Sequence, residues 1–310
     1  MKLIIAIALS LLQSLSFAAA PFAKTQAPGY YRMMLGDFEV TAICDGTSNL
    51  PFDKWLHTPP AATHKALKDA FLDTPTETSF NAFVVNTGQK LVMIDVGGGN
   101  LFGPTLGNLI ANLKAAGYQP EQIDDIYITH MHPDHIGGLG TSPSVFPNAF
   151  IHADKRDADY WLNESNKATA HEADKDYFKG IISTVGEYAK AGKLKTFDGK
   201  TQLLPGVTAI PSYGHTPGHT RYLVESKGQK LMLLGDLLHL GVIQFKDPSV
   251  TIVFDSDARQ AMASRQAVFK DAAEEAYLVG AAHLQFPGLG HIRRHGKGYE
   301  FIPANYTVPR

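Results

Sequence analysis

The chain lacks the features that mark several common classes of protein. Its 310 residues include a single cysteine, Cys44, so an intrachain disulfide cannot form. The 28 Lys and Arg residues nearly balance the 30 Asp and Glu residues, and they are scattered rather than clustered as in a nucleic-acid binder. We therefore expect no disulfide framework and no nucleic-acid partner. Cys44 lies in the apolar run EVTAICDG and is expected to be buried and unreactive.

Long apolar runs are also scarce, and the clearest one is at the start of the chain. Lys2 precedes an apolar stretch over 3–15, and small residues follow up to Ala20, which is typical of a secretory signal. The stretch is too short for a comfortable membrane span, although an uncleaved anchor is the alternative. We therefore expect a signal peptide over 1–20, a mature domain over 21–310, export to the periplasm or beyond, and no stable membrane insertion.

No repeat and no linker rich in proline, glycine or serine divides the chain, so we predict one α/β domain. A strand over 36–44 is expected to end at the Asp45–Gly46 turn. SFNAFVVN, KLVMIDV and DDIYITH are typical of buried strands, and a long helix is predicted over 255–275. AYLVGAAH is expected to be the last strand. This order of elements favours two sheets covered by outer helices.

The segment THMHPDHIGG, residues 129–138, carries three histidines and an aspartate within six positions. Neutral imidazoles and carboxylates are the ligands of transition metals, so this density predicts a metal site. More ligands must come from other strand ends, because one short segment cannot surround a metal. The candidates in the segment are His130, His132, Asp134 and His135, and those beyond it are His215, His219, Asp236 and His283.

The motifs HMHPDH, GHTPGHT, LLGD and AAH, in this order, resemble the metallo-β-lactamase superfamily of binuclear hydrolases. The resemblance extends over essentially the whole mature chain. It implies an αββα four-layer sandwich whose metal site lies between the sheet edges. It also implies two divalent metal ions, zinc first, although His and Asp ligands accept cobalt, manganese or iron as well.

The resemblance further implies a role for each ligand. His130, His132 and His215 would hold one metal, whereas Asp134, His135 and His283 would hold the other. Asp236 would bridge the two metals, which would share a hydroxide that acts as the nucleophile. Asp95 would orient a metal-bound imidazole, and His219 is expected to support its loop rather than bind metal.

The C-terminal half, with GDLLHLGVIQFKDPSVTIVFDSD and AAHLQFPGLGHIRRHGKGYEFIPANY, resembles the methyl parathion hydrolase group and its lactonase relatives. The bridging Asp236 weighs against β-lactamase activity. We expect hydrolysis of a small lactone or ester, such as an acyl-homoserine or aromatic lactone. Hydrolysis of an organophosphate triester is the alternative, and a metal-binding protein without turnover is an alternative of another class. A homodimer is left open.

Four residues are predicted to line the substrate pocket. His239, three residues after Asp236, is expected to donate a hydrogen bond to the substrate, with a purely supporting role as the alternative. Phe254 is bulky and disfavours a wide triester pocket. Trp161 and Phe178 are expected to grip an acyl chain or aryl ring, with ordinary core packing as the alternative.

Overall fold

The central strands carry apolar side chains on both faces. In strand β3 (Thr76–Asn86), Ala82 and Val84 belong to one hydrophobic core, whereas Phe83 and Val85 belong to another. Because successive side chains of a strand alternate between its faces, both faces of this sheet must be covered. The computed structural model, which describes residue 20 and residues 22–308, shows how. Residues 1–19, which hold nearly all of the predicted signal peptide, lie outside the described part.

Each of the two sheets has seven strands. The first sheet contains, in spatial order, β1 (Tyr30–Leu35), β2 (Phe38–Leu50), β3, β4 (Leu91–Ile94), β5 (Asp125–Tyr127), β6 (Phe150–Asp154) and β7 (Leu194–Phe197). The second contains, in the reverse of chain order, β14 (Gly298–Pro303), β13 (Leu289–His295), β12 (Leu278–Gly280), β11 (Gln229–Leu233), β10 (Thr220–Ser226), β9 (Val207–Pro211) and β8 (Thr201–Leu204). Their facing sides share one hydrophobic core.

Helices cover the outer face of each sheet. The helices are α1 (Phe52–Trp55), α2 (Pro60–Asp69), α3 (Leu109–Ala115), α4 (Pro133–Ile136), α5 (Lys155–Trp161), α6 (Tyr177–Lys190), α7 (Gly241–Gln244) and α8 (Ala258–Glu275). Helices α3 and α6 pack on the first sheet, and α8 packs on the second. The predicted αββα four-layer sandwich is therefore confirmed. Within the described residues, no helix combines the length and apolarity needed to cross a membrane.

The ligand candidates follow the carboxyl ends of strands. The pairs β4–β5, β5–β6 and β11–β12 are parallel, so these strands end at a common edge of their sheet. His130 lies three residues beyond β5, Asp236 three residues beyond β11, and His283 three residues beyond β12. Such an edge is where α/β proteins bind ligands, because the loops there converge.

The predicted end of the second strand is wrong. Strand β2 continues through a bulge between Cys44 and Gly46 as far as Leu50. The fully buried Asp45 explains the continuation, because its carboxylate accepts hydrogen bonds from four backbone N–H groups of the distant 98–109 segment. Cys44 itself is half-buried rather than buried, and burial raises the pKa of its thiol.

Two further predictions on the C-terminal half need correction. The strand β12 is followed by the hairpin β13–β14, so AYLVGAAH does not contain the last strand. The long helix begins at Ala258 rather than at residue 255, because Asp257 caps it by accepting hydrogen bonds from the backbone N–H groups of Arg259 and Gln260.

Candidate metal centre

Two groups of metal-ligating side chains meet at the shared edge of the sandwich. In each group, the ligand atoms lie within 4.8 Å of one another. The first group is His130, His132, His215 and Asp236, and the second is Asp134, His135, Asp236 and His283. The structure thus brings together all seven ligands that the sequence predicts, in the two sets that the resemblance implies.

Asp236 belongs to both groups, and its carboxylate lies between them. Oδ2 lies 3.5 Å from His215 Nε2 and 3.8 Å from His130 Nε2. Oδ1 lies 3.1 Å from His135 Nε2, and His283 Nε2 lies 3.2 Å from both Oδ1 and Oδ2. A carboxylate arranged in this way can bind one metal through each oxygen.

The donor atoms fit two divalent metals. His132 turns Nδ1 inward, 3.1 Å from His215 Nε2, whereas His130 and His135 turn Nε2 inward. The Nε2 atoms of His130 and His135 and the Oδ1 atom of Asp236 are buried and have no hydrogen-bond partner among the described residues. Buried polar atoms without partners are costly, and a coordinated metal would satisfy them. Sets of imidazoles and carboxylates suit zinc and its neighbours.

Burial keeps two imidazoles of the first group, those of His130 and His132, neutral. It lowers the pKa of His130 and that of His132 well below the ordinary imidazole value, and the neighbouring imidazoles act in the same direction. A neutral imidazole has a free lone pair, which is the form that binds a metal.

The second group is more strongly charged. Burial opposes a proton on His283, but the carboxylates of Asp236 and Asp134 outweigh it and raise its pKa to about 9. The same balance raises the pKa of His135 well above its ordinary value. The imidazoles in turn hold the pKa of Asp236 well below its usual range, although burial acts against this. A metal bound to this group would therefore displace protons.

Carboxylates contact the outer nitrogens, Nδ1, of two of the imidazoles. Asp95 Oδ2 lies 2.8 Å from His135 Nδ1, which confirms the predicted contact of Asp95 with a ligand. Asp95 also accepts from the backbone N–H and the hydroxyl of Thr129, and its φ of 58° is a strained value for aspartate. Asp255 Oδ1 lies 2.9 Å from His215 Nδ1. Such contacts fix the orientation of a ligating imidazole.

Further buried residues tie the ligand loops together. Asp157 accepts hydrogen bonds from the backbone N–H groups of Met131 and Gly218, which links the loops that carry His130 and His215. His219 Nε2 accepts a hydrogen bond from the backbone N–H of Asp236 at 2.9 Å, and His219 is in neither ligand group. His219 thus supports the loop that carries Asp236, and its Nδ1 also contacts Ser212 at the start of its own loop.

A narrow cavity of about 30 Å³ opens onto the ligands, within about 380 Å³ of atom-free space that includes open solvent. Its walls are mostly apolar, and no Lys or Arg is among the described residues that line it. The apolar lining residues are Leu50, Phe52, Trp55, Phe80, Phe102, Tyr177, Ile252 and Phe254. The polar lining residues are ligands, with the exception of His239. The cavity is therefore suited to a small, apolar and uncharged molecule.

The four predicted pocket residues divide into two pairs. His239 and Phe254 line the cavity. Trp161 and Phe178 do not: both are fully buried in the core between the first sheet and its helices, where their rings lie 4.9 Å apart. Trp161 contacts the site through His132, whose ring lies 5.5 Å from that of Trp161. The aromatic residue that α6 contributes to the cavity is Tyr177 instead.

Sequence reasoning missed Asp255 and the residue that supports it. Arg265 is a buried arginine of α8 that donates hydrogen bonds to the backbone carbonyls of Leu237, Pro248 and Val250. Its guanidinium also lies 3.9 Å from the carboxylate of Asp255. No local motif marks either residue. An arginine on the buried side of a helix is the one signal that a partner lies nearby.

Removing the carboxylate of Asp236, which belongs to both ligand groups, should reduce metal binding. In the variant Asp236→Ala both groups lose a ligand, so we expect the metal content per chain, measured by elemental analysis, to fall below half of the wild-type value. The exposed Asp198→Ala is the matched control and should keep the wild-type content. A wild-type metal content in Asp236→Ala would show that this carboxylate is not a bridge.

Comparisons with known proteins agree with this geometry. A family model described as the metallo-beta-lactamase superfamily matches residues 76–281. An N-acyl homoserine lactonase of Bacillus cereus is 28% identical over 149 residues, which are 48% of this chain and 52% of the relative. Another, from Bacillus sp, is 33% identical over 122 residues, which are 39% of this chain and 41% of the relative. The chain thus spans about half the length of the curated relatives that it matches.

Two solved structures align with most of the chain. The hydrolase AbOPH, described as a member of the beta lactamase superfamily, is 34% identical with a TM-score of 0.87, covering 92% of this chain and 100% of its own. AidC, described as a dizinc quorum-quenching lactonase in complex with the product N-hexanoyl-L-homoserine, is 30% identical with a TM-score of 0.81. That alignment covers 90% of this chain and 99% of AidC. With the family match over 76–281 and its ligand motifs gathered at one site, the chain belongs to the metallo-beta-lactamase superfamily.

Proposed function

We propose that this protein is a binuclear metallohydrolase that cleaves an uncharged lactone or ester. The observation that carries the proposal is the position of the cavity: an apolar, aromatic space ends directly on the bridging Asp236 and the ligands around it. A substrate held there would place its carbonyl group against the metal ligands. The lactonases among the relatives, including AidC with its bound homoserine product, support a lactone as the first candidate.

The residues of the chain would divide the work of hydrolysis. The two ligand groups would hold two divalent ions, zinc first, which when bound would supply Lewis acidity and lower the pKa of the attacking water. Asp236 would keep the two groups at a constant separation, because its oxygens face both. The aromatic walls, among them Trp55 and Phe254, would exclude bulk water and bind the acyl chain or aryl ring.

His239 would act on the substrate oxygen. Its Nε2 lies 3.1 Å from Asp236 Oδ2, and its Nδ1 is buried without a hydrogen-bond partner among the described residues. Burial lowers the pKa of His239, so the ring is neutral at pH 7 and can donate one N–H hydrogen bond. Gln244 holds the backbone here by accepting from the N–H groups of His239 and Leu240. The imidazole of His239 would stabilise the charge that develops on the carbonyl or leaving oxygen.

A hydrolysis panel on zinc-loaded protein tests the proposal. We expect the highest kcat/KM on a lactone, because the cavity is narrow and its walls are apolar. The panel compares short and long acyl-homoserine lactones, an aromatic lactone, an aryl ester and an uncharged phosphotriester. Activity should disappear with a chelator and return with zinc. A triester hydrolysed faster than every lactone would favour the organophosphate alternative, whereas metal binding without any turnover would favour a metal-binding protein.

Replacing His239 separates donation from packing. His239→Phe keeps an aromatic ring but cannot donate, so we expect kcat on the preferred substrate to fall about 10²-fold. His239→Gln keeps an N–H donor and should lose less. Metal content should stay at the wild-type value in both variants, because His239 is in neither ligand group. Equal activity of the two variants would contradict a donor role.

We also propose that the protein is exported, on the basis of its N-terminal sequence alone. Expressed at full length in a Gram-negative host, the chain should accumulate in the periplasm with a mass that indicates cleavage after Ala18 or Ala20. A chain that lacks residues 1–20 is the control and should stay in the cytoplasm. Recovery of the uncut chain in the membrane fraction would instead indicate an anchor.

A further inference from the structure

The outer nitrogens of two ligating histidines, His132 and His283, lack a hydrogen-bond partner among the described residues, and that of His132 faces a carboxylate. The Nδ1 atom of His132 faces the site, so its Nε2 points away from it. When Nδ1 binds a metal, the proton of the neutral ring must be on Nε2, which makes this atom a hydrogen-bond donor. Nε2 is buried and has no partner among the described residues. A buried donor without an acceptor costs on the order of 1–3 kcal/mol.

Asp174 offers the matching acceptor. Its side chain is buried, and its Oδ1 has no hydrogen-bond partner within the described part of the chain. This oxygen lies 3.8 Å from His132 Nε2, about 1 Å longer than an N–H···O hydrogen bond. A small shift of either side chain would therefore satisfy two buried polar atoms at once.

The segment that carries Asp174 is packed against His132 from both ends. Trp161 at the end of α5 and Tyr177 at the start of α6 place their rings 5.5 and 5.6 Å from the His132 ring. Asp174 lies between them, in a short 3-10 helix over Glu172–Asp174. Because Tyr177 also lines the cavity, the same segment contacts a metal ligand and the substrate space.

We propose that Asp174 is a positioning residue that accepts the Nε2 hydrogen bond of His132 when metal is bound. It extends to a third histidine the contacts of Asp95 with His135 and of Asp255 with His215, where the distances are 2.8 and 2.9 Å. In this arrangement, metal binding at the first group would also hold the segment between α5 and α6 in place. Tyr177, which lines the cavity, would be held with it. The inference rests on the proposed metal centre but not on any particular substrate.

The test compares Asp174→Asn and Asp174→Ala with Asp176→Asn, an exposed aspartate two residues away. Zinc affinity is measured on metal-free protein by competition with a chromophoric chelator. We expect one of the two sites to weaken about 10- to 100-fold in Asp174→Ala, because carboxylates behind metal-bound histidines have effects of this size. Asp174→Asn keeps a carbonyl acceptor and should weaken less, and Asp176→Asn should bind as the wild type does.

Melting temperatures with and without zinc separate positioning from a structural role. The metal-free Asp174 variants should melt at or above the wild-type temperature, since they lose a buried carboxylate that has no partner. Their rise in melting temperature on adding zinc should be smaller than that of the wild type.

Two results would overturn the inference. One is unchanged zinc affinity in both Asp174 variants; the other is an equal loss of stability in the metal-free and zinc-loaded forms. A wild-type protein that binds no zinc would refute the metal centre itself, and this baseline is measured first. A failure of the lactone panel with normal zinc binding would leave the role of Asp174 standing, so the two failures are distinguishable.

Discussion

The burial of the Asp236 carboxylate between two sets of imidazoles is the constraint on which the rest of the site depends. A carboxylate that is 3% exposed is stable only beside cations or N–H donors. Its partners follow strands of both sheets: His135 lies beyond β5, whereas His215 and His283 lie beyond β9 and β12. The sheets must therefore meet at one edge before the charge is compensated. The cluster of candidate metal ligands is also a junction between the halves of the sandwich.

A second layer of buried charge keeps the ligands in place. Asp95, with its strained backbone, orients His135 through hydrogen bonds that also hold Thr129. Asp255 orients His215 and lies beside the buried Arg265, whose other hydrogen bonds hold the loops around the cavity. Because His135 and His215 are each held by a carboxylate that is itself held, these two ligands are oriented before substrate or metal arrives. The cavity shape and the ligand geometry consequently share the same supports.

The accuracy of the sequence predictions follows the range of the interactions involved. The metal site could be predicted from HMHPDH because its candidate ligands are neighbours in the chain and because histidine and aspartate both bind metals. The end of β2 was not, because it depends on hydrogen bonds between Asp45 and a segment more than fifty residues away. Trp161 was placed at the pocket and lies in the core, because an aromatic side chain suits both environments and its pattern does not distinguish them.

The sequence by itself determined the ligands, their assignment to one family and the layered α/β architecture, because ligand spacing and apolar alternation are local properties of a chain. The tertiary structure alone decided which atoms of Asp236 face which group, which aromatic residues wall the cavity, and which carboxylates stand behind the imidazoles. These pairings join residues up to 106 positions apart, as His130 and Asp236 are. Their specificity comes from burial, since a buried charge must find a partner wherever the fold brings one near.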